Sequence, residues 1–460
     1  MHKTTKRFLA IMLAVLMMLS LPAFALIEDD PAHGEIEVVF VEDLLADAEF
    51  SAYVMEYLHS RFGEEFFINQ EIATETAGLI YDLFPVNRSG DVVYPDSFGG
   101  MYIDSDGNLV VLMVEDTSGI MARILCAYVA VARDSDSGIR TVEFSYAELR
   151  DAFQVISAFI EANWEDTNCN IIYNIVSVGI DVVGNRLEVY LLDTSPRFLA
   201  RFKAEVVDHP ALVFVQATER ITLGHGDDDA CDSTEPYYDI CEGAQRSGTV
   251  VHPGSPIRRN NTAGAGAVGS LGYRARRGTH NGFVTVAHGT LLNDRLYSNG
   301  IRLGQVTARA AAVDASFVQL AANVSVSTRN PNAAPDMLIN SIIHAQPLVG
   351  QVVTRISQGG RVREWYANQA GPQTHPMVSA GAISIAERIV PIPGVGNVHV
   401  FSAPYVSKIG DSGGIIVSPY RVGTWRVVGI HVGAQVVNGG IVSLFVHATR
   451  INNALGLTMH

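Results

Sequence analysis

Apolar positions recur at two different spacings in the first half of the chain. Residues 43–67 and 146–162 place them every three or four positions, which predicts helices. Residues 99–114 and 174–192 instead hold short apolar runs around Asp106-Gly107 and Gly184-Asn185, a pattern typical of β-hairpins. A short helix at 196–207 and a strand at 211–216 follow. We therefore predict an α/β (α+β) region over residues 26–220, with room for two subdomains.

The pattern changes near residue 263. From there to residue 460, short runs rich in Val, Ile, Thr and Phe alternate with Gly, Asn and Pro, and helical spacing fades except near the end. Many short strands with turn signals indicate an all-β sandwich or barrel. Residues 221–262 are polar and contain Pro253, Pro256 and the basic pair Arg258-Arg259. We predict a linker here, with a processing site.

The first 25 residues have the pattern of a secretory signal peptide. A basic start precedes an apolar run at residues 8–21, and Ala23-Phe24-Ala25 is a small-x-small cleavage signal. The apolar run is short for a bilayer span, which needs about 20 residues. We predict cleavage after Ala25 and a secreted chain that leaves the membrane. An uncleaved membrane anchor is the alternative.

The two halves of the chain differ in charge. Residues 1–245 hold 42 of the 48 acidic residues, whereas residues 246–460 hold 18 of the 32 basic residues. Opposite charges favour docking of the halves on each other. The arginines of the basic half are scattered among glycines, so nucleic acid is not predicted as a partner. No cofactor or metal site is predicted, since the His and Asp residues at 225–229 fit no standard ligand spacing.

Four cysteines occur, at Cys126, Cys169, Cys231 and Cys241. An exported chain can form disulfides, but four cysteines allow three pairings and the sequence leaves them open. No cysteine follows Cys241. We therefore expect the β-rich region to be held together by packing alone.

A glycine-rich string, Gly410-Asp411-Ser412-Gly413-Gly414, is the first candidate for chemistry. A serine hydroxyl needs a base to become a nucleophile, and its tetrahedral intermediate needs N–H donors for the oxyanion. Glycine at position 410 lets the backbone turn, so the N–H groups of Gly410 and Ser412 can point into one hole. A polar turn between two strands is the alternative interpretation.

A base and a carboxylate lie upstream in apolar surroundings. His288 ends the run Gly282-Phe283-Val284-Thr285-Val286-Ala287, and Asp314 lies within an apolar stretch. A buried carboxylate is costly unless it is paired and hydrogen-bonded, and a histidine N–H is a suitable partner. Asp294, Asp336 and Asp411 are the other aspartates after residue 245. Asp294 and Asp336 lie in polar segments and Asp411 adjoins the serine.

These three strings, in the order His, Asp, Ser, resemble chymotrypsin-like serine proteases, closest to the bacterial alpha-lytic protease and streptogrisin group. The resemblance covers about the last 200 residues. It implies an all-β double barrel over residues 263–460, with His288 and Asp314 from one barrel and Ser412 from the other. It further implies that Ser412 attacks the carbonyl, His288 transfers the proton and Asp314 orients the histidine. The expected oxyanion hole is formed by Gly410 and Ser412.

The resemblance also implies a substrate pocket. It should be lined near Val406, Ser407, His431, Val432, Gly433 and Gly440. The segment Val428-Gly429-Ile430-His431-Val432-Gly433 resembles the strand that pairs with the substrate backbone. No aspartate occupies the position of a trypsin-like pocket, so a preference for Lys or Arg is not expected. His431 resembles a histidine found in proteases that cut after Glu or Gln, and packing on an edge strand is its alternative role.

The sequence departs from the resembled family in three places. Gly289 replaces a cysteine after the histidine, and disulfides near the nucleophile are absent, with Ser407 and Lys408 in that stretch. In animal enzymes, a freed Ile-Val-Gly-Gly terminus pairs through its amino group with the acid at the position of Asp411. That start is missing here, and Ala267-Val268-Gly269 resembles it only weakly. Activation by insertion of a new N-terminus is therefore not predicted.

The prediction is a secreted serine endopeptidase made as a precursor, acting on polypeptides. Its pro-region over residues 26–220 would aid folding and inhibit the protease, and would be cut away between about Gln245 and Thr262. All-β barrels have many non-local contacts and fold slowly, so a template would help them. A non-catalytic binding module on a protease fold in the cell envelope is the alternative. An esterase is a weaker one, because its chain order would be Ser, Asp, His.

Overall fold

A computed structural model describes most of the chain. The described residues are 36–38, 40–45, 48–87, 92–114, 138–164, 169–218, 220, 222–223, 250–251, 256–259, 267–298, 301–326, 347–356, 378–392, 395–407, 411–420, 424–437 and 440–458. The predicted signal peptide, Gly410, Lys408 and the cysteines Cys126, Cys231 and Cys241 lie outside them. The remaining cysteine, Cys169, is a free thiol.

Helices and strands alternate in the N-terminal half. In chain order they are β1 (Ile36–Val38), α1 (Val41–Leu45), α2 (Ala48–Phe62), α3 (Glu64–Asp82), β2 (Phe98–Ile103), β3 (Leu109–Val114), β4 (Ile139–Val142), α4 (Tyr146–Asn163), α5 (Asn170–Asn174), β5 (Ile175–Asp181), β6 (Arg186–Leu191), α6 (Pro196–Glu205), β7 (Leu212–Gln216) and β8 (Thr222–Leu223).

Local sequence signals explain these elements. The Ser145 hydroxyl caps α4 by accepting a hydrogen bond from the Glu148 backbone N–H at 3.1 Å. Both predicted hairpins are confirmed, and their turns hold Gly107 at φ 86° and Asn185 at φ 49°, the left-handed region that Gly and Asn tolerate best. The periodic stretch 43–67 is divided among three helices, and Gly63, at φ 90°, separates α2 from α3.

The C-terminal half is built of strands, with one helix at its end. They are β9 (Val250–Val251), β10 (Pro256–Arg259), β11 (Ala267–Ser270), β12 (Arg274–Arg277), β13 (His280–Val286), β14 (Arg295–Ser298), β15 (Ile301–Ala310), β16 (Ala315–Leu320), β17 (Val324–Val326), β18 (Val352–Ile356), β19 (Val378–Ala382), β20 (Ile385–Ile392), β21 (Gly396–Ala403), β22 (Ile415–Pro419), β23 (Trp425–Val437), β24 (Gly440–His447) and α7 (Ala448–Leu455).

Two large sheets organise these strands. The first sheet runs β11-β10-β14-β15-β16-β13-β12. The second sheet runs β19-β18-β22-β23-β24-β21-β20 and continues into β5-β6-β7, while β8 pairs with β23. Smaller three-stranded sheets have the orders β17-β1-β9 and β2-β3-β4. A β-rich C-terminal half built on two large sheets, preceded by an α/β region, agrees with the predicted fold class.

The N-terminal half extends the second sheet. Strand β5 pairs antiparallel with β20, and Arg388 lies opposite Gly179 in this pairing. Apolar side chains from both halves form one continuous core cluster that includes Val178, Ile180 and Ile389. The two halves therefore share backbone hydrogen bonds as well as a core.

Part of the predicted linker is folded. Strands β8, β9 and β10 all lie within residues 221–262, and the side chains of Val251 and Ile257 are buried in the core of the first sheet. The basic pair Arg258-Arg259 lies in β10, which is paired on both sides. A protease needs an extended, accessible backbone, so this pair is a poor cleavage site. Packing against distant strands overrides the turn signals that the segment shows in sequence.

Gly179→Val tests the shared sheet. A Cβ at position 179 would come within 2.9 Å of Ile385 Cγ2 and 3.2 Å of the Glu387 carbonyl oxygen. We expect the bulkier side chain to destabilise the full chain by about 1–3 kcal/mol. Urea denaturation would measure this, and hydrogen exchange would be faster at β5 and β20 than in the wild type. The control is Gly78→Ala, where an added Cβ meets nothing within 4 Å. Equal stability of the Gly179 variant and the wild type would contradict the shared sheet.

Candidate active site

The first sheet brings His288 and Asp314 together. Strands β13 and β16 are antiparallel neighbours with Val286 opposite Ala315, so the residues after β13 meet those before β16. The Asp314 Oδ2 atom lies 2.6 Å from His288 Nδ1, and both side chains are buried. Asp314 Oδ1 accepts hydrogen bonds from the backbone N–H groups of Ala287 and His288 at 3.1 and 2.8 Å. Three donors thus satisfy one buried carboxylate.

This geometry fixes the histidine tautomer. An ionised carboxylate only accepts hydrogen bonds, so His288 Nδ1 carries the proton that is donated to Asp314. The lone pair of the neutral ring is then on Nε2, the atom that a general base uses. Asp314 holds its position in the left-handed region at φ 41°, directly after a short 3₁₀ turn at Ala311–Val313. Aspartate is among the residues that tolerate this conformation.

A tight turn before β22 carries Ser412. Gly413 has φ 85°, and its backbone N–H donates to the His431 carbonyl at 2.7 Å. A Cβ at position 413 would lie 2.6 Å from both the Ser270 carbonyl oxygen and Thr285 Oγ1, so only glycine fits there. The Ser412 hydroxyl donates to the Val432 carbonyl at 2.8 Å. Ser412 is buried.

The serine turn is joined directly to the first sheet. The Ser270 backbone N–H donates to the Ser412 carbonyl at 2.6 Å, across the boundary between the two sheets. Gly272 makes the approach possible, because a Cβ there would lie 2.7 Å from the Gly413 carbonyl oxygen. A Cβ at position 413 would also lie 3.3 Å from the Val286 backbone N, at the end of the strand that leads to His288. The structure therefore gathers His288, Asp314 and Ser412 at one junction.

An arginine that the sequence analysis missed neutralises Asp411. Arg355 Nη1 lies 3.1 Å from Asp411 Oδ1, and both side chains are buried. Arg355 Nε also donates to the Val406 carbonyl at 2.9 Å. Asp411 therefore has an internal cation as its partner, and no freed chain terminus is needed. The missed signal is an arginine within the apolar strand Val352–Ile356, since a buried charge requires a partner.

The predicted pocket residues divide into an interior group and a backbone group. Ser407 and His431 are buried, and both join a hydrogen-bond network with Tyr405 and Ser443, two residues that the sequence analysis did not single out. The Ser407 and Ser443 hydroxyls lie 2.7 Å apart, and Ser443 Oγ donates to the Tyr405 carbonyl at 2.7 Å. Val406, by contrast, is 45% exposed.

The His431 ring is hydrogen-bonded inside the protein. Nδ1 lies 2.9 Å from the Tyr405 hydroxyl, and the ring also makes a hydrogen bond to the Leu444 backbone. Burial lowers the pKa of His431 to about 3, so the ring is neutral at neutral pH. Burial also raises the pKa of Tyr405, which keeps its hydroxyl protonated. His431 is therefore a buried ring that is hydrogen-bonded to Tyr405 in this structure.

The other three pocket residues contribute backbone along β23 and β24. The Val432 carbonyl accepts the Ser412 hydrogen bond, and Gly433 lies opposite Leu223 of β8. Gly440 begins β24, where it pairs with Val437 at the hairpin end. A segment of the N-terminal half therefore runs antiparallel to the strand beside Ser412. Within the described part of the chain, no group of three or more His, Cys, Asp or Glu could hold a metal ion. The described residues also contain no helix long and apolar enough to span a bilayer.

Comparison with protein families identifies the N-terminal half. Residues 45–132 match the family of Pro-like N-terminal domains, and residues 147–217 match the family of Pro-like C-terminal domains. Both matched segments lie within the predicted α/β region. A β-rich part follows this region. A search of curated proteins finds no match to the chain.

Solved structures give low-scoring similarities. Thermobifida fusca protease A is 18% identical, with a TM-score of 0.32, and the match covers 45% of this chain and 96% of that one. A Cellulomonas bogoriensis chymotrypsin is 20% identical, with a TM-score of 0.32 and coverage of 45% and 97%. A Nocardiopsis protease is 20% identical, with a TM-score of 0.33 and the same coverage.

Arg355→Leu tests the buried ion pair. The substitution leaves the Asp411 carboxylate buried without its cation, which costs about 3–5 kcal/mol when one partner of such a pair is removed. Urea denaturation in a Ser412→Ala background would measure the loss without self-cleavage. The control Arg201→Leu removes an exposed i,i+4 pair with Glu205 and should change stability little. A similar small effect for both variants would contradict the role given to Arg355.

His431→Gln tests the neutral buried ring through pH. The folded pKa of about 3 lies below the ordinary value of 6.5, so the unfolded chain binds the proton more readily. The stability that the neutral ring contributes is therefore complete above pH 6.5 and is lost as the pH falls towards 3. We expect the stability advantage of the wild type over the variant to shrink by about 1.4 kcal/mol per pH unit in that window. Other buried groups, such as His399, are present in both proteins and cancel. An advantage independent of pH would contradict the assignment.

Proposed function

We propose that the chain is a secreted serine endopeptidase, made as an inactive precursor. The observation that carries the proposal is the 2.6 Å contact between His288 Nδ1 and buried Asp314, at the junction that also holds Ser412. A histidine with only a packing role would not need a buried carboxylate at Nδ1, nor a serine nearby in a glycine-rich turn. The arrangement matches the roles of nucleophile, general base and orienting acid.

The proposed reaction proceeds through an acyl-enzyme. The Ser412 hydroxyl turns from the Val432 carbonyl towards His288 Nε2, which accepts its proton as Oγ attacks the substrate carbonyl. Asp314 stabilises the resulting imidazolium, and the N–H groups of Gly410 and Ser412 are the proposed oxyanion donors. His288 then protonates the leaving amine, the C–N bond breaks, and water repeats the sequence to release the acid.

The pro-region is proposed to block the site and to aid folding. Strand β8 pairs antiparallel with β23, where Thr222 lies opposite Ala434 and Leu223 opposite Gly433. An extended peptide that adds to a strand edge is held by main-chain hydrogen bonds, which is also how a substrate would bind here. Before cleavage, β8 therefore competes with substrate for the edge next to Ser412.

The proposed pocket is neutral. Burial lowers the pKa of His431 to about 3, so this neutral ring offers no charge to an acidic side chain. We therefore propose no preference for Glu or Gln based on His431. The hydroxyls of Ser407 and Ser443 favour uncharged side chains.

Casein hydrolysis by the secreted protein tests the proposal. Ser412→Ala removes the nucleophile and should abolish hydrolysis, whereas Asp314→Asn should lower kcat about 10⁴-fold through loss of the productive tautomer. Mass spectrometry should show an intact linker in Ser412→Ala. In the wild type, the new N-terminus should precede Val250, since Val251 belongs to the core of the first sheet.

Leu292→Ala is the control, because this exposed residue lies outside the proposed triad and pocket and its truncation should leave kcat within a few-fold. Wild-type activity in Ser412→Ala would contradict the proposal. A folded, processed wild type that hydrolyses nothing would favour the binding-module alternative.

A further inference from the structure

An N-terminal strap, defined as residues 36–45, is built into the first sheet's side of the molecule. Its strand β1 lies between β17 and β9, parallel to both, with Ile36 opposite Val324 and Val38 opposite Val251. Ile36, Val38 and Phe40 of the strap are buried, and all belong to the core cluster of the first sheet. The strap therefore supplies core residues to the half that carries His288.

A partly buried ion pair anchors the strap in register. Both Asp43 carboxylate oxygens lie 2.7 Å from Arg274 Nη2, and Asp43 Oδ2 also accepts the Phe40 backbone N–H at 2.9 Å. The Arg274 guanidinium lies 5.0 Å from the centre of the Phe40 ring, which packs on Phe283. Arg274 faces Phe283 in the β12–β13 pairing, and β13 leads directly to His288. The ion pair and the aromatic contact therefore both fix the strap against strands β12 and β13.

After the strap, the chain reaches the second sheet through helix α2. The Trp425 indole N–H donates to the Ser51 hydroxyl on α2 at 3.1 Å, and both groups are buried. Trp425 begins β23, the strand that receives the Ser412 hydrogen bond. Thirteen positions separate Val38, in the core of the first sheet, from Ser51, which contacts the second sheet through Trp425. This short span identifies the occupant as the chain's own strap, acting in cis.

We propose that the groove between β17 and β9 is a dedicated binding surface for residues 36–45, through which the pro-region holds the first sheet. The pro-region then engages both sides of the cleft: the strap on the His288 side, and β5 and β8 on the Ser412 side. Two linked contacts bind more tightly than one, because the second forms at high effective concentration. The binding surface itself does not depend on the proposed function. Only the release of the strap from the processed protein rests on the proposed linker cleavage.

A cut full-length chain tests the strap. A recognition site for an added protease is placed between residues 224 and 249 in a Ser412→Ala background, so that cutting does not depend on the chain's own activity. The dissociation constant of the two fragments is then measured by analytical ultracentrifugation. We expect Phe40→Ala/Asp43→Asn to raise it about 10²-fold. The matched control Leu79→Ala truncates an exposed side chain of α3 and should leave it unchanged.

Hydrogen exchange on the cut complex locates the effect. The strap variant should expose the amides of β12 and β13 to faster exchange, while β5 and β20 exchange as in the wild type. If that variant fails to fold before cutting, the charge-reversed pair Asp43→Arg/Arg274→Asp should fold and bind better than Asp43→Arg alone. Equal dissociation constants for wild type and strap variant would overturn the proposal. A wild-type complex of two copies that the strap variant converts to one would also overturn it, since the strap would then act between copies.

Discussion

The turn that carries Ser412 is held in place by the buried ion pair between Asp411 and Arg355. Neither charge can remain in the interior without the other, so the pair ties the serine turn to β18. Gly413 and the Ser270 N–H fix the opposite side of the turn. No cysteine follows Cys241 to add a covalent constraint. The position of Ser412 therefore depends on the ion pair and on close backbone packing.

The residues of the candidate site come from two sheets. The distance between Ser412 and His288 therefore depends on how these sheets pack against each other. Asp314 and His288 are fixed within the first sheet by hydrogen bonds, whereas Ser412 belongs to the second. The pro-region adds strands to the second sheet and the strap adds a strand beside the first. A pro-region that touches both can set their docking as well as cover the cleft. The opposite net charges of the two chain halves favour this assembly over long range.

Local features of the fold were predictable, and partners distant in sequence were not. The hairpins at Asp106-Gly107 and Gly184-Asn185 follow from turn chemistry, and the Asp314 prediction follows from a charge in an apolar strand. Arg355 obeys the same rule, but nothing in its neighbourhood identifies Asp411 as its partner. The pairing of β5 with β20 and of β1 with β17 depends on tertiary packing, which strand periodicity does not encode. The same packing converts Val251 and Arg258, in a stretch that reads as linker, into parts of sheets.

The central claim is that His288 activates Ser412 as a nucleophile once the pro-region is released. The most direct measurement is stoichiometric labelling by an active-serine phosphonate, with the modified residue located by mass spectrometry. The account predicts one label per processed chain, on Ser412, with little label on the intact precursor and none on a His288→Ala variant. A processed, folded protein that takes up no label at Ser412, or takes it up equally without His288, would contradict the account.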